Sequence, residues 1–244
     1  MYMSTLLIDV GLNPDRPRPG RLWLRNLYRV HQRLCMAFPS AFRLEDDSNF
    51  LKPFKPEDFG GKQVHVPRRR DAGFLFRVDP QPGGRVVILV QSALEPNWNY
   101  AFQNADYLLA ASPEVKTFTP SFKIEQHLRF RLSANPTRKV GTKSGPNGKK
   151  QNGRRVPVPP DRFVSWLDRK AGMAGFFVDP EKVTVQPGWI YESKEIHKVG
   201  NRLRSVRYDG ILRVTDPVLF QETLARGIGP GKAFGFGLLS VAPA

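Results

Sequence analysis

The sequence predicts an α+β fold made of one supersecondary unit used twice. Two observations carry this. Strand-like and helix-like stretches follow one another as β-α-β-β-(α)-β from Tyr2 to Thr119, and the same order returns from His127 to Val241. That order is the ferredoxin-like (RRM-like) arrangement, so the chain reads as two such domains in tandem, residues 1–120 and 121–244. No repeat is visible in the residues themselves, and the inference rests on element order. With 244 residues, 40% of them apolar, there is enough material for real cores.

In the first half, Tyr2–Val10 is a short β-rich run and the expected first strand. Gly11–Gly20, with three prolines, is a loop. Asn26 is among the preferred N-cap types. After it Leu27, Val30, Leu34, Ala37 and Phe38 recur at helical spacing, and Pro39 ends the helix. His31 falls on one edge of that apolar stripe and Tyr28 just beyond it. Three positions apart, they are neighbours on one flank, with Arg29 and Arg33 expected on the other side. Ser40–Asp71 is irregular and ends in the cluster Arg68-Arg69-Arg70. Gly73–Asp79 and Arg85–Gln91 read as a hairpin across a Pro-Gln-Pro-Gly-Gly turn, with Phe74 and Phe76 in the core. Asn97–Ala111 is weakly helical, and Val115–Thr119 is a fourth strand.

In the second half, His127–Ser133 is strand-like and Asp161–Ala174 is a helix with Phe163, Trp166 and Leu167 on its face. Val183–Val185 and Trp189–Tyr191 read as extended, and Arg202–Val214 as a long strand. Asp216 starts a helix through Ala225 with Val218, Leu219 and Leu224 apolar, and Phe234–Val241 reads as the last strand.

Charge sets the class of partner. Lys and Arg number 38 against 22 Asp and Glu, a formal net charge of +16. A field of that sign favours polyanions, either nucleic acid or an acidic surface. No apolar run approaches the ~20 residues of a membrane span, and the first residues lack signal-peptide architecture. A soluble cytoplasmic protein without membrane contact is expected. The charge is concentrated: between Gln126 and Pro160 no acidic residue occurs, while Arg138, Lys139, Lys143, Lys149, Lys150, Arg154 and Arg155 do. Such density favours phosphate contact over a merely solvated loop. A second candidate is Gly227-Ile-Gly-Pro-Gly-Lys232, a glycine-rich turn whose N–H groups can form an anion-binding concavity beside Lys232. Gly229, Gly231 and Lys232 are the positions assigned to it. It is neither a Walker loop nor a dinucleotide fingerprint, and a tight structural turn is the competing reading.

No metal or cofactor is expected. The four histidines are scattered, no HExxH pair occurs, and one cysteine, Cys35, cannot form a zinc cage. Gly-x-Ser-x-Gly is absent, and Cys35 reads as packing rather than nucleophile. That leaves His31 and Tyr28. Histidine exchanges protons near neutrality, and with RNA bound a metal-free reaction exists: 2′-hydroxyl attack on the adjacent phosphate, leaving a 2′,3′-cyclic phosphate. The competing reading is a helix-edge histidine bonded to a neighbour.

At this point the residues resemble a known family. Leu27-Tyr-Arg-Val-His31-Gln is similar to the Tyr-x-x-His-Gln helix of the CRISPR repeat-processing endoribonucleases of type I-E systems, the CasE family of the Cascade complex. Arg131-Leu-Ser-Ala-Asn-Pro136, Arg155-Val-Pro157, Trp166-Leu-x-Arg-Lys170 and Gly227-Ile-Gly-Pro-Gly-Lys232, with the terminal Gly-Leu-Leu-Ser-Val-Ala-Pro243, resemble its other signatures. The resemblance runs nearly end to end. It implies metal-independent cleavage at the 3′ side of a repeat hairpin, retention of the mature guide RNA, and assembly with other Cascade subunits rather than a homo-oligomer. It gives the catalytic roles to His31 and Tyr28, sets the glycine run beside the scissile region, and has the basic segment hold the RNA. A non-catalytic RNA-binding scaffold and a DNA-binding protein are the alternatives from other classes.

Overall fold

The computed structural model describes residues 1–11, 19–38, 73–139, 155–192 and 201–244. Pro39, the Arg68-Arg69-Arg70 cluster and most of the basic segment, including Lys143, Lys149, Lys150 and Arg154, lie outside the described residues.

The first unit runs β1 (Tyr2–Asp9), α1 (Pro19–Leu24), α2 (Leu27–Cys35), β2 (Phe74–Gln81), β3 (Arg85–Ser92), α3 (Trp98–Phe102) and β4 (Glu114–Thr117). Its sheet is antiparallel, in the order β2-β3-β1-β4. Period-two alternation sends Ser4, Leu6 and Ile8 of β1 inward. Helix α2 begins where Asn26 accepts hydrogen bonds from the Tyr28 and Arg29 backbone N–H groups at 3.1 and 3.2 Å. It buries Val30 and Leu34 completely, worth about 1.5–3 kcal/mol apiece. Arg33 departs from expectation. It is buried rather than projecting, because Nη1 donates to the Ala101 carbonyl at 3.0 Å and to Asn104 Oδ1 at 2.7 Å, tying α2 to α3.

The second unit runs β5 (His127–Ala134), β6 (Thr137–Lys139), β7 (Arg155–Pro157), α4 (Phe163–Gly172), β8 (Phe176–Val178), β9 (Thr184–Glu192), β10 (Asn201–Val214), α5 (Pro217–Arg226) and β11 (Leu239–Pro243). The main sheet has the order β11-β5-β10-β8, with β9 also paired to β10, and β6 and β7 form a separate ribbon. In both units the last strand borders the first, the ferredoxin-like order, so the two-unit α+β reading holds. Helix α4 buries Phe163, Trp166, Leu167 and Ala171 at helical spacing. In α5, Asp216 caps the Val218 and Leu219 N–H groups and Phe220 and Leu224 face the core, while Val218 is exposed.

Several elements differ from expectation. The two extended pieces after residue 182 are one strand, β9, because β10 pairs with it continuously from Glu192 to Thr184. Phe176–Val178 is a strand too short for its alternation to be legible. The last strand starts at Leu239, not Phe234, since Gly235 and Gly237 have φ of 76° and 93° and cannot continue a ladder.

Each sheet has its own core, one around Leu6, Leu34, Phe76 and Ile88, the other around Phe130, Trp166, Tyr208 and Phe220. The units are stitched by polar contacts: Arg77 Nη1 donates to Ser240 Oγ at 2.8 Å, and Gln91 Nε2 to the Leu224 carbonyl at 2.7 Å. Among the described residues no helix is long and apolar enough to cross a membrane.

Candidate active site and nucleic-acid interface

Helix geometry brings Tyr28 and His31 together. Their ring centroids are 6.2 Å apart and both side chains are half-buried. His31 is held by aromatic faces: its ring stacks on Phe74 at 5.3 Å and on Phe76 at 6.2 Å. Phe74 and Phe76 are therefore core residues, as expected, and also the floor under the histidine. One turn along α2, Cys35 Sγ lies 3.6 Å from His31 Nε2. Burial pushes the Cys35 thiol up to about 12, so it stays protonated at neutral pH and is no nucleophile.

The glycine run reaches this helix from the far end of the chain. Lys232–Phe234 forms a single 3-10 turn packed on α2, and the Phe234 ring lies 5.9 Å from Tyr28. The approach depends on absent side chains. A Cβ on Gly227, at φ 71°, would meet Leu75 and the Gly237 carbonyl oxygen at 2.8 Å.

Three residues before that turn, at Gly229, the same run borders a basic groove of about 480 Å³. Gly229 lines it with Arg138, Lys139, Arg155, Arg169 and Lys170. Five cations crowd one another there: desolvation, then Arg169 and Arg155, hold Lys170 below the usual lysine range. A phosphate would relieve that repulsion. From Gly229 to Phe234 the chain can span at most roughly 18 Å, so groove and helix are within reach of one bound hairpin.

Of the sequence-assigned positions, Tyr28 and His31 thus meet on α2. Arg138, Lys139, Arg155 and Gly229 meet in the groove, and Lys232 joins the turn on α2. Gly231 is packed against Phe236 and Asn135 and is absent from the groove lining. Three residues were missed: Arg169, Lys170 and Phe234. The first two sit three and four positions after Trp166, whose ring flanks Gly229. That spacing sets them on one helix face, a signal available in the sequence. Phe234 had none. Among the described residues no three His, Cys, Asp or Glu side chains gather as a metal cluster would.

Comparison with known proteins gives the family. The family model described as CRISPR associated protein matches residues 1–243. The chain belongs to that family. Within it, the chain is of the type I-E CasE kind. It is 35% identical over 248 residues to the CRISPR-associated endoribonuclease Cse3 of Thermus thermophilus, covering 97% of this chain and 99% of that protein. It is 28% identical to the CRISPR system Cascade subunit CasE of Escherichia coli, with both chains fully covered. Among solved structures, Thermus thermophilus Cse3 bound to an RNA representing a pre-cleavage complex superposes with a TM-score of 0.68 at 29% identity, covering 99% of this chain and 98% of that one.

Proposed function

We propose that this CasE-type protein is the endoribonuclease that cleaves CRISPR precursor RNA at the 3′ side of the repeat hairpin and keeps the mature guide RNA within Cascade. The observation that carries the reading is the seam on α2, where Tyr28, beside His31, meets Phe234 of the glycine run that also borders the basic groove at Gly229. Domains 1–120 and 121–244 would clamp the RNA between groove and helix, and a cytoplasmic location belongs to the same reading.

The chemistry follows from the groups present. One member of the His31–Tyr28 pair takes the proton of the 2′-hydroxyl. The 2′-oxygen bonds to the adjacent phosphorus, the bond from phosphorus to the 5′-oxygen breaks, and the other member protonates the leaving oxygen. The products are a 2′,3′-cyclic phosphate and a 5′-hydroxyl. Lys232, on the turn packed against α2, supplies positive charge for the phosphorane. No step calls for a metal. Arg138, Lys139, Arg155, Arg169 and Lys170 hold the stem by its phosphates, as A-form RNA is held more by shape and backbone than by base edges.

A hairpin carrying one 2′-deoxy nucleotide at the cleavage position tests this reading. It should bind as the all-ribose hairpin does and remain uncut. Cutting of the deoxy hairpin would rule out 2′-hydroxyl attack.

A further inference from the structure

We propose that Trp189, backed by Arg204 and Arg202, is a stacking platform for one unpaired base of the RNA. The proposal rests on the RNA-processing reading above and adds a contact that neither the basic groove nor the His31–Tyr28 pair supplies.

Trp189 stands opposite Arg204 on the paired strands β9 and β10. The Arg204 guanidinium lies 3.7 Å from the indole centroid, and that of Arg202 lies 5.9 Å away. Arg204 is also 5.9 Å from the Phe163 ring at the start of α4, so it is wedged between two aromatic side chains. One face of the indole is thereby occupied and its orientation fixed. Yet Trp189 is 47% exposed, whereas Trp98 and Trp166 are 4% and 3% exposed. A large indole held rigid by a cation and left half in water is surface that folding did not use.

The chemistry of that surface selects its occupant. Single-stranded nucleic acid is held by aromatic rings that take base faces and cations that follow the backbone. An arginine behind the ring adds to the same stack. A base inside the paired stem has both faces covered by its neighbours, so only an unpaired base can reach the indole. Location agrees: β9, the strand carrying Trp189, packs against α2, the helix of Tyr28 and His31. The platform therefore serves an unpaired nucleotide at the stem end. Because every base offers a π face, it holds that nucleotide without reading its identity.

The test compares a repeat hairpin carrying its unpaired flanking nucleotides with the same hairpin trimmed to the paired stem and loop. Trp189→Ala should weaken binding of the flanked hairpin by roughly 5- to 150-fold and leave the trimmed one unchanged. Trp189→Phe should keep most of the difference. Equal losses on both RNAs, or loss on neither, would overturn the platform; the second result would make the surface a protein contact. In case the alanine variant folds poorly, indole emission of the native protein gives a second readout. The flanked hairpin should quench it more than the trimmed one, and equal quenching would overturn the proposal. If the native protein bound neither RNA, the RNA-processing reading would fall and the platform with it.

Discussion

The ring of Tyr28 lies 5.9 Å from that of Phe234, their planes tilted by 33°. One residue belongs to the first ferredoxin-like unit and the other to the end of the second. The contact makes the proposed chemistry a property of the seam between units, dependent on how the glycine run seats on α2.

Phe234→Leu removes the ring and keeps an apolar side chain in a nearly closed site. An aromatic pair contributes about 0.5–1.5 kcal/mol beyond its buried area. The cleavage rate on saturating hairpin should fall roughly 2- to 10-fold if that contribution orients Tyr28, with affinity unchanged. Single-turnover rates and filter binding on the same variant check this, and equal effects on both would make the contact purely structural.

The groove makes a different prediction. Arg169→Ala combined with Lys170→Ala should weaken binding and flatten its salt dependence. The slope of log K against log salt should change by about 0.7–0.9 for each phosphate no longer neutralised. The rate at saturating RNA should hold. A slope equal to the native one would remove α4 from the interface.

Cys35 gives a pH signature. Its folded thiol is pushed up to about 12 by burial, while the unfolded thiol ionises near the ordinary value of 9.0. The stabilisation this gives is fully present below the unfolded value and is lost as pH rises from there toward the folded one, at about 1.4 kcal/mol per pH unit. Denaturant melts of native protein and Cys35→Ala, run across that window, should converge as pH rises. Parallel curves would mean the thiol is solvated. Cleavage by Cys35→Ala should stay within a few-fold of native, since a protonated thiol attacks nothing.

Much of this was legible in the sequence because it is local. Spacing within one helix set Tyr28 beside His31, and Asn26 announced where the helix begins. Element order carried the two-unit fold because each unit is assembled from neighbouring segments. What escaped was tertiary or conformational. Arg33 looked like a solvent-facing residue on helical spacing, but α3 and the residues after it offer a carbonyl and an amide oxygen. Phe234-Gly-Phe-Gly-Leu mimics strand alternation, and only the left-handed glycines reveal a turn. The groove unites a ribbon and the helix that follows it with the glycine run far down the chain, and no sequence pattern joins them. Trp189 has no special standing as a strand residue until the arginines of β10 stack around it.

The most direct measurement is single-turnover cleavage of the cognate repeat hairpin in excess EDTA, by native protein and by His31→Ala. The native protein should cut and leave a 2′,3′-cyclic phosphate. His31→Ala should be slower by about 10²–10⁴-fold, the usual share of a general acid–base group, while binding the hairpin as tightly. Cleavage by His31→Ala at the native rate, or a native activity that returns only when metal is restored, would contradict the account.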